Sequence, residues 1–280
     1  MLGRAMHKAV LDMSRPKYKV GGIGINEYLL PNNTLTGCVP DNLHMKKLCE
    51  HRGIPEKNMQ FIYDADATYK NCLEVCEWLG DGLAEEDWAV LFWSSHGTYD
   101  VDLDGDETDK YDEILCCYDI NWDKKGRVLN GLSDDKIAQI ISKSRCRWAI
   151  FIDACHSELF DKNFNRWKPK TFTPPADIRA LHQQANRRMM KCRELFNGIE
   201  RLQMISACQA RQTSADTFLG GEPRGAGSYY FEDIQYKAPK TICTDISVEL
   251  CVQMERNGYT QRPVAQGGLI HLPFAGGLQA

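Results

Sequence analysis

The residues here whose types and spacing can do chemistry are a cysteine and a histidine, each just past a buried-looking apolar run. Cys155 stands in Asp153-Ala154-Cys155-His156-Ser157, after Ala149, Ile150, Phe151 and Ile152. His96 stands in Ser94-Ser95-His96-Gly97, after Ala89, Val90, Leu91, Phe92 and Trp93. Short continuous apolar runs suit strands buried on both faces of a parallel sheet. In open α/β sheets, reactive groups collect at the carboxyl ends of such strands. A thiol with an imidazole in reach is the minimal machinery of nucleophilic thiol catalysis. His156 is a rival base, but successive side chains of an extended segment point apart. A nucleophilic Cys155 with a depressed pKa is expected to react with a thiol probe ahead of the other cysteines.

Those two strands need a scaffold, and the flanking sequence supplies alternating elements. A strand ends near Gly24. A helix follows from about Asp41, an apparent N-cap, to His51, with Leu43, Met45, Leu48 and Cys49 inward. The spacing predicts a strand over 59–63 and a helix over 69–83, then the His96 strand. Residues 114–118 read as a strand or hairpin arm and 132–142 as a helix before the Cys155 strand. Beyond it, 161–201 is broken by Pro169, Pro174 and Pro175 and turns basic, giving a loop and then a helix over 176–196. A strand over 202–207, a glycine-rich loop over 220–227 and helices over 228–234 and 246–257 follow. Residues 1–17 read as an extension, 18–262 as the domain and 263–280, rich in Gly and Pro, as a tail. Strand–helix alternation predicts a three-layer α/β sandwich around a mainly parallel six-stranded sheet, with helices on both faces.

Bulk properties exclude several classes. The chain of 280 residues is 43% hydrophobic and 26% charged, which suits one large α/β domain. A formal net charge of −4 gives no global pull toward nucleic acid or anionic membrane. No apolar run approaches a membrane span, and 1–19 lacks a signal-peptide core, so a cytoplasmic location is expected. The twelve cysteines show no Cys-x-x-Cys pair, which argues for reduced, mostly buried thiols over zinc ligands or disulfides. Gly21, Gly22 and Gly24 lack the Gly-Lys-Ser/Thr of a phosphate loop. The acid-rich stretch 100–113 places Gly105 sixth from Asp100, as an EF-hand requires. Its twelfth residue is Tyr111 rather than glutamate, so that reading fails.

The two strand ends resemble those of the caspase-like cysteine peptidases, specifically the metacaspases. His96 lies 59 positions before Cys155, near the separation of roughly fifty in caspase-type enzymes. Gly37-Cys38-Val39-Pro40-Asp41, Tyr111-Asp112-Glu113 and Ser206-Ala207-Cys208-Gln209 with Gln212-Thr213-Ser214-Ala215-Asp216 are similar to further family segments. The resemblance implies a peptidase cutting polypeptides after arginine or lysine, with Cys155 as nucleophile, His96 as base and the Gly97 and Cys155 amides as oxyanion donors. It implies a primary pocket lined by Cys38, Asp41, Ser94 and Asp153. It also implies a calcium site from Asp112, Asp134, Asp135 and Asp161, and a monomer. The long, basic, proline-broken stretch 162–191 offers an enzyme that cuts after Arg or Lys a place to cut itself. Ser95 and Glu158 replace glycines usual in the family. Ser95 would be strained if its φ were positive, and Glu158 would raise the thiol pKa or extend the acidic pocket. The competing expectation is a catalytically weak caspase-like scaffold.

Overall fold

The structure is a computed structural model, and it describes residues 16–101, 111–155, 167–179, 198–209 and 212–278. In chain order the elements begin with β1 (Tyr18–Gly24), α1 (Cys38–His51), β2 (Met59–Tyr63), α2 (Tyr69–Gly80) and β3 (Trp88–Ser94). Next come β4 (Gly97–Val101), β5 (Tyr111–Trp122), β6 (Val128–Ser133), α3 (Asp134–Lys143) and β7 (Arg147–Asp153). Then follow β8 (Lys168–Pro169), β9 (Leu202–Ser206), β10 (Ala215–Leu219), β11 (Glu222–Gly225), α4 (Ala226–Lys237), α5 (Cys243–Arg256) and β12 (Val264–Gln266).

The central sheet has six strands in the order β12-β9-β7-β3-β1-β2. Five run parallel, and β12 pairs antiparallel with β9. Alternation along the strands divides the core into two layers. Ile23, Leu91, Trp93, Ile150 and Ile152 face α2, α3 and the β4-β5-β6 sheet. Val20, Val90, Phe92, Phe151 and Ile205 face α1, α4 and α5. All seven residues of β3 are buried, as its unbroken apolar run requires. Side-chain caps start α2 and α3, where Thr68 and Ser133 accept from the amides of Asn71 and Lys136. The β1 glycines serve close packing: a Cβ on Gly22 would fall 2.1 Å from the Phe61 ring.

Three expectations need correction. Of the tail expected over 263–280, the described residues 263–278 are not a tail, because β12 completes the central sheet and Phe274, Ala275 and Leu278 are buried in the core. The short β12 and the Gly/Pro content hid this. The glycine-rich loop is a hairpin, with β10 and β11 joined across Gly220 and Gly221, both at positive φ. The first helix starts three residues early, at Cys38, so Asp41 lies within its first turn and faces the interior, while Leu43 is exposed. Of the helix expected over 176–196, only 176–179 falls among the described residues, and these are helical. Among the described residues no helix is long and apolar enough to cross a membrane, and the described cysteines are free thiols.

Candidate active site

β3 and β7 are parallel neighbours, with Ser94 in register with Asp153. Ser95-His96 and Ala154-Cys155 therefore leave the same sheet edge side by side. Ser95 accepts from the Trp93 indole N–H at 2.7 Å and donates to the His96 carbonyl at 2.7 Å. It is absent from the positive-φ positions, so its departure from glycine carries no left-handed strain.

His96 is buried and held at both ends. Its amide donates to the Tyr28 hydroxyl at 2.8 Å, and Nε2 lies 2.7 Å from the Asn33 carbonyl oxygen. A carbonyl can only accept, so Nε2 carries the proton and Nδ1 keeps the lone pair of a base. Nδ1 is buried and makes no hydrogen bond of ordinary geometry. Burial pushes the imidazole down to about 3, against the opposing pull of the Asn33 and Lys170 backbone. Asn33 has no sequence signature in this role, because its contribution is a peptide carbonyl.

Cys155 is fully buried, with Sγ 2.8 Å from Thr171 Oγ1. Burial raises its thiol to about 11, despite the lowering effect of the Thr171 contact. The expected low-pKa, readily labelled thiol is thus not what this closed arrangement holds. The cause is that residues 168–172 cover the site and exclude water.

Those residues lie across the strand ends like an extended peptide. Lys168 and Pro169 form β8, antiparallel to β10, with Lys168 opposite Asp216 and Pro169 opposite Ala215. The Lys170 amide donates to the Ser214 carbonyl at 2.9 Å. The Gly97 amide donates to the Lys170 carbonyl at 2.9 Å, and the Phe172 amide donates to the Gly97 carbonyl at 2.9 Å.

The Lys170 side chain fills an acidic pocket and is itself fully buried. Its ammonium is 2.8 Å from Ser94 Oγ, 3.1 Å from Asp153 Oδ2 and 3.2 Å from Asp41 Oδ2. Burial opposes its charge, but Asp153, Cys38 and Asp41 outweigh that and hold its pKa well above the ordinary lysine value. Cys38, at the start of α1, is buried beside this cluster, and its thiol is raised by burial. Cys38, Asp41, Ser94 and Asp153 are therefore brought together around one cation.

The two carboxylates differ. Asp153 accepts from Ser228 N at 3.0 Å, from Ser228 Oγ at 2.7 Å and from the Ser214 hydroxyl. Burial works against its charge, but Lys170 and these hydroxyls hold its carboxyl below the usual range. Asp41 is shared: Oδ1 accepts from Arg224 Nε at 2.9 Å and from Gly225 N at 3.0 Å. Burial raises its pKa, against the pull of Lys170 and Arg224. Arg224 also binds Glu232 at 2.7 Å, and His44 bridges Glu232 and Glu222 at 2.9 and 2.6 Å. Lys170, Ser214, Arg224 and Ser228 were not singled out by sequence reasoning as pocket residues. Serine and lysine are too common to signal such a role alone.

Asp134 and Asp135 occupy the first turn of α3. β5 pairs with β6 as far as Ile114 opposite Ser133, the residue that caps α3, and Asp112 lies two positions before Ile114 in β5. An all-carboxylate set has the hard oxygen chemistry that suits calcium. Among the described residues no group of three or more His, Cys, Asp or Glu forms a metal-binding cluster. Asp161, His156 and Glu158 lie outside the described residues, as does most of the acid-rich stretch 100–113.

The architecture defines a class. A crystal structure of caspase-1 from Spodoptera frugiperda superposes with a TM-score of 0.60 at 9% identity, covering 93% of this chain and 90% of that one. A crystal structure of a Geobacter sulfurreducens protein gives a TM-score of 0.64 at 20% identity, covering 90% and 94%. The fold is that of the caspases. Residues 21–161, half of the chain, match the metacaspase, peptidase C14 domain model. The chain belongs to the metacaspase family. It is 26% identical to Metacaspase-1 of Yarrowia lipolytica, covering 86% of this chain and 59% of that protein. It is 27% identical to Metacaspase-1 of Schizosaccharomyces pombe, covering 86% and 65%. The chain thus spans about three-fifths of the length of these fungal relatives.

Proposed function

We infer that this chain is a cysteine endopeptidase that cleaves after lysine or arginine through Cys155 and His96, and that the Lys170–Thr171 bond is its own first substrate. One observation carries the reading. Lys170 has its ammonium on two carboxylates, its carbonyl on the Gly97 amide and its following residue against the Cys155 sulfur.

Each group then has a task. His96 Nδ1 takes the thiol proton as Cys155 Sγ attacks the Lys170 carbonyl carbon. The Gly97 N–H already meets that carbonyl oxygen and would hold the oxyanion, with the Cys155 amide as the second donor. The proton on His96 passes to the Thr171 nitrogen as the peptide bond breaks, leaving a thioester. Water, deprotonated by the same Nδ1, hydrolyses the thioester and restores the thiol. The Nε2 bond to Asn33 fixes the ring for both transfers. Two carboxylates in a dry pocket select a cation, and the fork of a guanidinium suits them as well as an ammonium does.

Calcium is part of the reading. Asp112, Asp134, Asp135 and Asp161 would hold it, and it would supply positive charge that gathers these carboxylates and orders their segments. No step of peptide cleavage runs through it. Polypeptide substrates, a cytoplasmic location and a monomer complete the reading. The three-residue edge strand β12 supports the last, since very short edges resist further pairing.

The test is cleavage of two fluorogenic peptides, one ending in Arg and one in Asp, with calcium and with chelator. Calcium-dependent cleavage of the Arg peptide alone is expected. Cleavage of the Asp peptide contradicts the pocket assignment. Arg cleavage unaffected by chelator removes calcium from the account. Activity retained by Cys155→Ala removes the nucleophile.

A further inference from the structure

The segment that lies across the site also occupies a pocket on the far side of the bond to be cut. Phe172, two residues beyond Lys170, is 1% exposed. Its ring packs edge-on against Tyr28 at 5.1 Å and against His96 at 5.7 Å, and tilted against Trp122 at 5.4 Å. The backbone on both sides is fixed. Phe172 N donates to the Gly97 carbonyl, Thr173 N donates to Asn33 Oδ1 at 2.8 Å, and Asn33 Nδ2 reaches the Thr173 carbonyl at 3.3 Å.

These walls belong to the body of the enzyme, not to the segment. Tyr28 lies between β1 and α1, His96 at the end of β3 and Trp122 at the end of β5. Tyr28 and its neighbour in the same loop, Asn33, already position the base: Tyr28 holds the His96 amide, and Asn33 holds its Nε2. A ring seated here packs on the catalytic imidazole and shields it from water. Aromatic side chains favour such edge-to-face contacts.

We propose that Tyr28, His96 and Trp122 form a specificity subsite for an aromatic side chain two residues after the cleaved bond. The subsite rests on the reading of Lys170 as the residue before that bond. Its preferred substrates carry Lys or Arg, any small residue, then Phe, Tyr or Trp. Reporter peptides that end at the cleavage position leave the subsite empty and under-report the enzyme.

Internally quenched peptides with Lys at the cleavage position, Thr next and Phe, Leu, Ala or Asp in the following place test this. The expected kcat/KM for Phe exceeds that for Ala by tenfold or more, with Asp the poorest. Trp122→Ala and the gentler Trp122→Leu should bring the Phe/Ala ratio of kcat/KM toward one, and that ratio within one preparation is independent of how much enzyme is active. Running the panel on Phe172→Ala, which has lost its resident ring, removes the case in which the retained segment masks the subsite. Equal cleavage of the Phe and Ala peptides by that variant overturns the subsite and leaves the lysine reading standing. Cleavage of all peptides that persists when Lys is replaced by norleucine overturns the lysine reading itself. No cleavage by either wild type or Phe172→Ala overturns both.

Discussion

Charge removal at Asp153 should abolish cation selection far more completely than the same change at Asp41. Both carboxylates touch the Lys170 ammonium, at 3.1 and 3.2 Å, so distance alone does not separate them. The difference is in their other partners. Asp41 already neutralises Arg224 and receives the Gly225 amide, whereas the hydroxyls and amide on Asp153 bring no positive charge. Asp153→Asn therefore takes away the carboxylate whose charge is matched by the bound lysine alone. Breaking a buried ion pair from one side costs about 3–5 kcal/mol. At 1.36 kcal/mol per tenfold, that is roughly two to nearly four decades in kcat/KM. Asp41→Asn should cost about one decade or less in selectivity, because Arg224 is left with Glu232 and the pocket keeps Asp153. The assay is kcat/KM for paired peptides with Lys or the neutral isostere norleucine at the cleavage position. The Lys/norleucine ratio within one preparation is independent of how much enzyme is active, which guards against partial unfolding. Equal losses at Asp41 and Asp153, or an unchanged ratio in Asp153→Asn, would refute the reasoning.

Three further outcomes follow from the same geometry. Gly225→Ala should impair lysine cleavage by roughly five- to 150-fold, since overpacking costs about 1–3 kcal/mol. Its φ of −70° tolerates alanine, but the added Cβ would fall 2.2 Å from Asp153 Oδ2 and 2.3 Å from Lys170 Nζ. Wild-type kinetics in that variant would contradict the pocket. His96 contributes pH dependence to stability: burial holds its folded pKa at about 3, below the ordinary imidazole value of 6.5. The unfolded chain then binds the extra proton, so this contribution is intact above pH 6.5 and falls as pH drops toward 3, by on the order of 4–5 kcal/mol. Denaturant titrations across that window should show His96→Asn losing less stability than wild type. Finally, Cys155 in the uncut chain should alkylate slowly near neutral pH, with a rate that climbs toward pH 11. Self-cleavage that frees the segment should move that rise toward neutrality, and identical profiles before and after cleavage would deny that the segment shields the thiol.

The parts of this molecule legible in the sequence are those written in contiguous residues. β3 and β7 announced themselves as unbroken apolar runs, and each ends in the residue types that thiol chemistry needs. The parallel pairing that sets Ser94 beside Asp153 followed from strand–helix alternation. The acidic pocket was different. Asp41 sits in a helix and Asp153 ends a strand, and only resemblance to a family linked them before the register did. Lys170 was hidden among the basic residues of 161–201, because nothing local marks one lysine as folding back onto two distant carboxylates. Asn33 was invisible for a different reason, since any residue has the backbone carbonyl that it offers to His96. The last strand was misread because three residues of edge pairing are too few to show a period and their Gly/Pro-rich surround reads as a tail, although Phe274 and Leu278 bury as fully as the core.

The most direct measurement is the mass of the purified chain after incubation with calcium, with sequencing of any new amino terminus. The account predicts a cut between Lys170 and Thr171, lost in Cys155→Ala and in Lys170→Ala. A chain that stays intact, or one cut first at another basic residue while Lys170–Thr171 survives, would contradict it.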